Sequence, residues 1–503
     1  MTKRKPSGKD KGREREVEKD LGPGGRKRLE EASDLIGELV DEMLPPDASF
    51  EEYEEALLKI ANEIARRRLE RKLQSIADAQ PRMLHIEHHD DWHGIGFEHY
   101  SKHEYRQHLP GTVTYHSLVG PLRVRRYTYR ETARYGATYV ALDLEAGLME
   151  RMTPGFAHCL AFAFSQVPIR DVERLLLAAG RWPPSRATLD RGAKDLGAYA
   201  VASNAEIEPI LRADEILPDG TVAIALGLDR TAVAMRGTDH RFSIGRGIRR
   251  PRPKGAPRTA GKGINWRLDY VGTVTFLDAR GQRLDSRHYR LPSDAEPESI
   301  ARSMLEDVRR ALEQSPRLEI ILVQDGAPEL WALMREKLKA EPTVKRWEEA
   351  LDWYHVDERL TACLDLSATS PRERVDQRSR WHCMLLEKRD GPRAFIRSLA
   401  RFRKRLRPEG VAKFDEHINY FVRRTELLGY KRIRRKQLPI GSGATEGSCK
   451  SLIGTRAKRS GQHWTQRGLS AALHLRAIEQ SGRFDSFWNL FAQRYKASSM
   501  FAS

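Results

Sequence analysis

The rhythm of apolar and polar positions changes several times along the chain, and each change predicts a different element. In RLEEASDLIGELVDEML, Leu29, Ala32, Leu35, Ile36 and Leu39 recur at i, i+3 and i+4, the period of one helix face. A second helical segment, EEYEEALLKIANEIARRRLERKLQSIADA, follows the PPDAS break, with Ser49 placed to cap it. Together they predict an α-hairpin from Arg28 to about Leu84, suited to oligomerisation or docking. TVTYHSLVGPLRVRRYTYRE (112–131) alternates on both sides of Val119-Gly120-Pro121, a β-hairpin pattern. Helical spacing returns from about Leu148. Residues 162–197 predict two helices joined by Gly180-Arg181-Trp182-Pro183-Pro184, the second capped by Ser185. This is either an ordinary helical pair or a helix-turn-helix offering Arg186 and Arg191 to a duplex.

The second half reads differently. TVAIALGLDR (221–230) and RLEIILVQDGA (317–327) are buried-strand runs, and each ends in an acid. Between them, residues 267–291 predict two strands around Ala279-Arg280-Gly281, then a helix from about Glu296 to Gln314. A helix follows through about Leu338, then a short strand at ALDWYHVD (350–357). The rest is mostly helical, broken near 430–445, and no internal repeat occurs. Strands interleaved with helices predict an α/β class: a mixed sheet with flanking helices. The expected organisation is a disordered basic tail (1–27), a helical region (28–105), a hairpin plus helix-turn-helix-like region (106–215), and the α/β domain (216–490) with a helical insertion at about 357–440.

Composition narrows the partners. The chain has 503 residues, with 88 Lys and Arg against 70 Asp and Glu, a formal net charge of +18. That balance favours polyanions, nucleic acid first, over a merely soluble basic protein. A long basic Gly/Pro/Arg loop at 237–266 adds to it. No apolar run approaches the roughly 18 residues a membrane helix needs. The N-terminus lacks the apolar segment of a secretory signal. Cys159, Cys363, Cys383 and Cys449 are scattered and form no Cys-x-x-Cys pair. Neither a disulfide framework nor a zinc module is expected, and the location expected is the cytoplasm, on the nucleoid when bound to DNA.

Three acids carry the candidate chemistry. Asp229 and Asp325 close predicted strands, and Glu446 lies where a helix begins. Sites in open α/β sheets form at the carboxyl ends of strands. Carboxylates gathered there repel one another unless cations neutralise them. Two Mg²⁺ or Mn²⁺ ions so held can clamp the attacking and leaving oxygens of a phosphoryl displacement. Taken singly, each acid also reads as a strand terminator, a cap or an Asp-Gly turn. Around Glu446, GSGATEGSCKSLIGTRAKRSGQHW (441–464) fails the P-loop pattern, so no nucleotide cofactor is expected. It reads instead as a Gly-Ser-Gly turn entering a helix capped by Thr445. Lys450, Arg456, Lys458, Arg459 and Trp464 then form a DNA-facing track. A solvated basic helix is the alternative.

LGLDRTAVAMRG, ILVQDGAPELW, LDWYHV and GSGATEGSCKSLIGTRAKRSGQHWTQRGLSAALHLRAIEQSGRFDSFW occur in that order. Over about 110–490 the chain thereby resembles the ISKra-type insertion-sequence transposases, DDE enzymes with a ribonuclease-H-like catalytic domain, distantly Mutator-like. The resemblance implies that Asp229, Asp325 and Glu446 are the DDE metal-binding triad. It implies that Asp352 and His355 match a secondary Asp-x-x-His element near the active site. It further implies two-metal Mg²⁺ or Mn²⁺ chemistry, binding of terminal repeats and target DNA, and a dimer or higher synaptic assembly. Relatives often carry Cys-x-x-Cys pairs around the N-terminal hairpin; residues 126–143 have no cysteine, so no zinc is expected. The rivals are a transposase-derived DNA-binding protein without catalysis and a structure-specific nuclease.

Overall fold

The computed structural model describes residues 22–90, 99–132, 138–236, 264–291, 297–367 and 369–499. Most of the expected basic tail and the basic loop at 237–263 lie outside the described residues. The chain divides into two compact units. The first comprises residues 1–160, 169–192 and 495–503, the second residues 161–168 and 193–494. Among the described residues, no helix is long and apolar enough to cross a membrane.

In the first unit, α1 (Pro23–Met43) and α2 (Phe50–Asp78) form the expected helical pair. Pro23 at the first turn starts α1 inside the segment read as tail, because proline's fixed φ suits that position. Ser49 and Glu52 make the reciprocal capping box of α2. Val40 is buried but Leu29, Leu35 and Leu39 remain exposed, so among the described residues the apolar face of α1 is only partly covered. A four-stranded antiparallel sheet follows, in the order β1 (Met83–Asp90), β2 (His99–Ser117), β3 (Gly120–Glu131), β4 (Thr138–Tyr139). Two of these strands begin within the span read as helical. Their polar, His-rich sequence shows little period of its own, and cross-strand pairing supplies what the local pattern lacks. The hairpin closes at Ser117↔Gly120, where Gly120 has φ +118°. Tyr115, Leu122 and Val124 pack with Leu73 and Ala77 of α2 in a small core.

After α3 (Ala141–Glu145), α4 (Pro154–Gln166), α5 (Ile169–Ala178) and α6 (Arg186–Asp214) complete the first half. Ser185 accepts from the Thr188 N–H as expected of a cap. The connection at 179–185 is longer than the three or four residues of a helix-turn-helix. That length favours the ordinary helical pair.

The second unit is a mixed α/β structure. Its five-stranded sheet runs β7 (Arg283–Leu291), β6 (Ile264–Leu277), β5 (Ala223–Arg236), β8 (Glu319–Gln324), β9 (Glu348–Leu351). The β7–β6–β5 pairs are antiparallel, whereas β5, β8 and β9 are parallel. Helix α7 (Pro297–Gln314) links β7 to β8 and packs Ile300, Met304 and Val308 against the sheet. Gly272 permits that approach, since an added Cβ would lie 2.5 Å from Met304 Sδ. Helix α8 (Pro328–Ala340) leads to β9.

The strand expected over 350–357 ends at Leu351, and α9 (Trp353–Asp365) begins at once. Asp352 caps that helix by accepting from the His355 N–H, which overrides the strand-like aromatic run. Helices α10 (Pro371–Glu387), α11 (Gly391–Phe402), α12 (Val411–Val422) and α13 (Tyr430–Arg435) follow, a helical insertion between β9 and the C-terminal helices. Trp381, Phe395, Phe402 and Phe421 make its buried aromatic centre. The chain then returns to the sheet through α14 (Gly443–Ser448), a π-helical turn (Cys449–Gly454), α15 (Thr455–Ala457), α16 (Gln466–Gln480) and α17 (Phe484–Ser499).

Candidate active site

Strand register places the acids. Leu226 pairs with Leu322 in the parallel β5–β8 ladder, so Asp229 and Asp325 stand three residues further on at matching heights. Gln324 pairs with Leu351 in β8–β9, which sets Asp352 level with Asp325. Asp325 and Asp352 follow directly on the ends of β8 and β9, but Asp229 does not close its strand as expected: β5 runs on to Arg236 because its antiparallel pairing with β6 continues past the end of β8, so Asp229 lies within β5 level with the other two.

Each acid has its own environment. Asp229 is half-buried; it accepts from the Arg230 N–H at 2.7 Å and from the Cys449 thiol at 3.4 Å. Burial pushes its pKa up, the Arg230 N–H opposes, and the charge of Asp325 pushes it further. Repulsion between those two carboxylates is what a cation would relieve. Burial and the charge of Asp229 push the Cys449 pKa up as well, which keeps it a neutral thiol donor.

Asp325 accepts from the Ala327 N–H at 3.0 Å, and its carbonyl accepts from Trp331 Nε1 at 2.6 Å. The following Gly326 is clamped by the insertion. Arg424 donates to its carbonyl at 2.6 Å, and a Cβ there would lie 2.5 Å from the Tyr420 hydroxyl. Arg359 and Arg424 lie over the Tyr420 ring, at 3.8 and 4.1 Å from its centroid. The helical insertion thus braces the turn that carries Asp325.

Glu446 lies in the first turn of α14. Thr445 does not cap this helix; Ser442 takes the capping position without a side-chain bond. Thr445 instead points into the sheet and shares a 2.6 Å hydrogen bond with Thr273. Gly227 makes room for it, because a Cβ at 227 would collide with Thr445 Oγ1. Glu446 and Cys449 are three apart, so they share a helix side, and Cys449 touches Asp229. The turn after α14 thus touches Asp229 through Cys449, while the Glu446 carboxylate itself pairs with Lys450.

Asp352 is fully buried and takes three donors: the Ser442 N–H at 2.6 Å, the His355 N–H at 3.2 Å and His355 Nδ1 at 2.5 Å. Burial raises its pKa, but the bonds from His355 and Ser442 outweigh burial and hold it below the ordinary value. The bond to Asp352 raises His355 to about 9. Asp352 therefore ties the turn before α14 to the start of α9, and His355 is a cation at neutral pH. The stabilisation from the raised histidine is complete below its ordinary pKa of 6.5 and is lost as pH rises through about 9. The depressed Asp352 contributes above the ordinary 3.8 and loses that contribution as pH falls through its lower folded value. Thermal melts should fall between neutral pH and pH ~10, and His355→Gln should flatten that fall. An unchanged alkaline slope in His355→Gln would refute the pairing.

The basic track divides. Lys450 is exposed and ion-paired to Glu446 at 2.6 Å; Lys458 bonds Thr231; Arg459 is exposed and donates to the Thr455 carbonyl. Arg456 and Trp464 do not belong to it. Arg456 is 1% exposed; its guanidinium donates to the Phe164 carbonyl at 3.1 and 3.0 Å and lies over the Phe164 and Trp464 rings. Trp464 is buried and bridges to Met235, continuing the edge of β5 beyond β8. Arg456→Ala should cost about 3 kcal/mol, from hydrogen bonds to a charged group and a buried cation–π contact. Denaturant titration checks this, and a loss below about 1 kcal/mol would contradict it. Arg186 pairs with Glu173 at 2.6 Å and Arg191 is exposed; both lie in the first unit.

Among the described residues, no three of His, Cys, Asp and Glu stand close enough as placed to hold a metal ion. The donor chemistry of the three acids still suits a hard divalent cation, which takes carboxylate oxygens. The Lys450–Glu446 pair is open to solvent, and such pairs are weak and easily displaced.

No protein-family profile matches the chain, and no curated protein matches it. Among solved structures it is similar to the Drosophila P element transposase strand transfer complex, at 10% identity and a TM-score of 0.24, covering 67% of this chain and 80% of that one. A superposition that loose carries no weight for activity, and function is read from the site alone.

Proposed function

We propose that the protein is a DDE-type DNA transposase that cleaves DNA strands and transfers their ends. The observation that carries this reading is the register match of Asp229 and Asp325 on neighbouring parallel strands, with Glu446 delivered by α14 against the same sheet. The strand order, with three antiparallel strands followed by two parallel ones, supports a ribonuclease-H-like catalytic domain. The net charge of +18 supports DNA as the substrate.

In this reading Asp229, Asp325 and Glu446 would hold two Mg²⁺ or Mn²⁺ ions. Bound there, the ions would activate the attacking oxygen and stabilise the leaving one. The chain's own residues do the rest. Asp229 and Asp325 concentrate negative charge at one level of the neighbouring strands β5 and β8. Asp352 fixes the approach to α14 through the Ser442 N–H. Lys450 and Lys458 flank the acids and suit phosphate oxygens of a bound strand. Water first frees a 3′ hydroxyl at the element end, and that hydroxyl then attacks target DNA. Synapsis of two ends needs a dimer or higher assembly, for which the exposed apolar face of α1 is available.

The test is Mg²⁺- or Mn²⁺-dependent cleavage and joining of DNA bearing the gene's own flanking sequences. Cuts at a repeat boundary followed by joining support the proposal. Cuts at junctions regardless of sequence, without joining, favour a structure-specific nuclease. Sequence-selective binding without cuts favours a transposase-derived DNA-binding protein.

A further inference from the structure

A groove of about 1220 Å³ opens in the helical insertion, away from the carboxylates. Lys388 and Arg389 line it from the end of α10, Arg393 from α11, Arg423 from the end of α12, and Lys431 and Arg435 from α13. None of these six side chains makes a hydrogen bond or ion pair with another described residue. Five are exposed and Lys431 is half-buried. The two acids in the groove are engaged from elsewhere: Asp390 by Arg397 at 3.2 Å and Glu426 by Arg335 at 3.7 Å. Two further cations, Arg432 and Lys436, are held by Glu348 and Glu319. The groove thus separates cations with a structural partner from six without one.

Six like charges facing one concavity repel each other, and among the described residues no acid pairs with any of them. The ligand chemistry that does so is a polyanion. Small-molecule sites usually enclose about 300–1,000 Å³ around a few convergent polar groups. This groove is larger, and its cations are spread over four elements. No aromatic side chain lines it, so it lacks the stacking platform that single-stranded nucleic acid uses. A duplex offers one phosphate charge per ~1.7 Å of axis, a linear array that dispersed cations can follow.

We infer that this groove is a second track for duplex DNA, gripping the phosphate backbone without reading sequence. The choice of DNA rests on the reading of the carboxylate site; the charge and shape do not. Because Arg424 and Tyr420 of the same insertion brace the Asp325 turn, a duplex seated here lies on the element that positions the acids.

The experiment compares wild type with Arg389→Ala/Arg393→Ala/Arg423→Ala/Arg435→Ala, using duplex DNA of arbitrary sequence over a range of salt. Each lost phosphate contact lowers the slope of log Kobs against log[salt] by about 0.9, so the slope should become shallower by about 3–4. The fourfold Lys version should restore most of it, since charge and not guanidinium shape is the requirement. A wild-type slope in a variant that melts like wild type would overturn the inference and leave a solvated basic face. Tight binding of inorganic tripolyphosphate, lost in the same variant, would overturn it in favour of a compact polyanion. Asp229→Asn should keep the full salt slope. Should cleavage prove absent while the groove variant still changes the slope, the groove stands and the transposase reading falls.

Discussion

Asp229→Asn is expected to abolish metal-dependent DNA cleavage, by about 10³-fold or more, while leaving duplex affinity within about twofold. The substitution keeps the side chain's size and its bond from the Arg230 N–H. It removes the charge that a cation would neutralise, and several kcal/mol of transition-state stabilisation with it. It also ends the repulsion from Asp325 that pushes the Asp229 pKa up, so the fold should gain slightly in stability rather than lose. Lower activity with equal or higher melting temperature is the signature of a functional acid. Glu446→Gln should behave alike and also free Lys450 from its pair. Activity retained in either variant, or binding lost in proportion to cleavage, would show that the acids are structural. Single-turnover cleavage beside a binding titration separates these outcomes.

The second large effect concerns a residue with no chemistry. Gly227→Ala is expected to lower cleavage by about 10²-fold, from the size of effect a ~1 Å misplacement of a reacting group can have. Its cost in stability should be about 1–3 kcal/mol, the usual range for overpacking. The new methyl would drive into Thr445 Oγ1, which is buried and bonded to Thr273. The carbonyl of Val323 stands 3.2 Å from the same methyl, so the sheet side cannot give way. Helix α14 must move, and Glu446 moves with it. Gly443→Ala is the control, because nothing lies within 4 Å of a Cβ there. Equal activity in the two variants would show that α14 does not set the position of Glu446.

How much of this was legible in the sequence depended on where the information lay. The strands carrying Asp229 and Asp325 could be found because apolar runs without alternation mark buried strands; the first acid after the run marks the end of β8 at Asp325, but not of β5, which pairing with β6 extends to Arg236. The cap at Ser49 was equally visible, since a serine just before a helical run caps it by local bonds alone; its reciprocal partner Glu52 came only with the structure. What escaped was set by distant partners. Arg456 and Trp464 stand in a basic run and read as surface, yet Phe164 and the edge of β5 bury them. Cys449 is only one of four scattered cysteines in the sequence until the fold lays it on Asp229. Gly227 gains meaning only from Thr445, and Gly326 only from Tyr420 in the insertion. Asp352 was noticed beside His355, but its capping role was hidden by an aromatic run that resembles a strand. The strands β1 and β2 start in polar, His-rich sequence whose pairing is visible only across the sheet.

The central proposal is that Asp229, Asp325 and Glu446 would hold a pair of divalent ions over a DNA phosphate. Electron paramagnetic resonance of Mn²⁺ titrated into the full chain with duplex DNA tests it without relying on turnover. Two ions about 3.5–4 Å apart couple magnetically. The account predicts a coupled-pair spectrum in the wild type that Asp325→Asn removes while DNA remains bound. Only isolated Mn²⁺, identical in the two proteins, would contradict it.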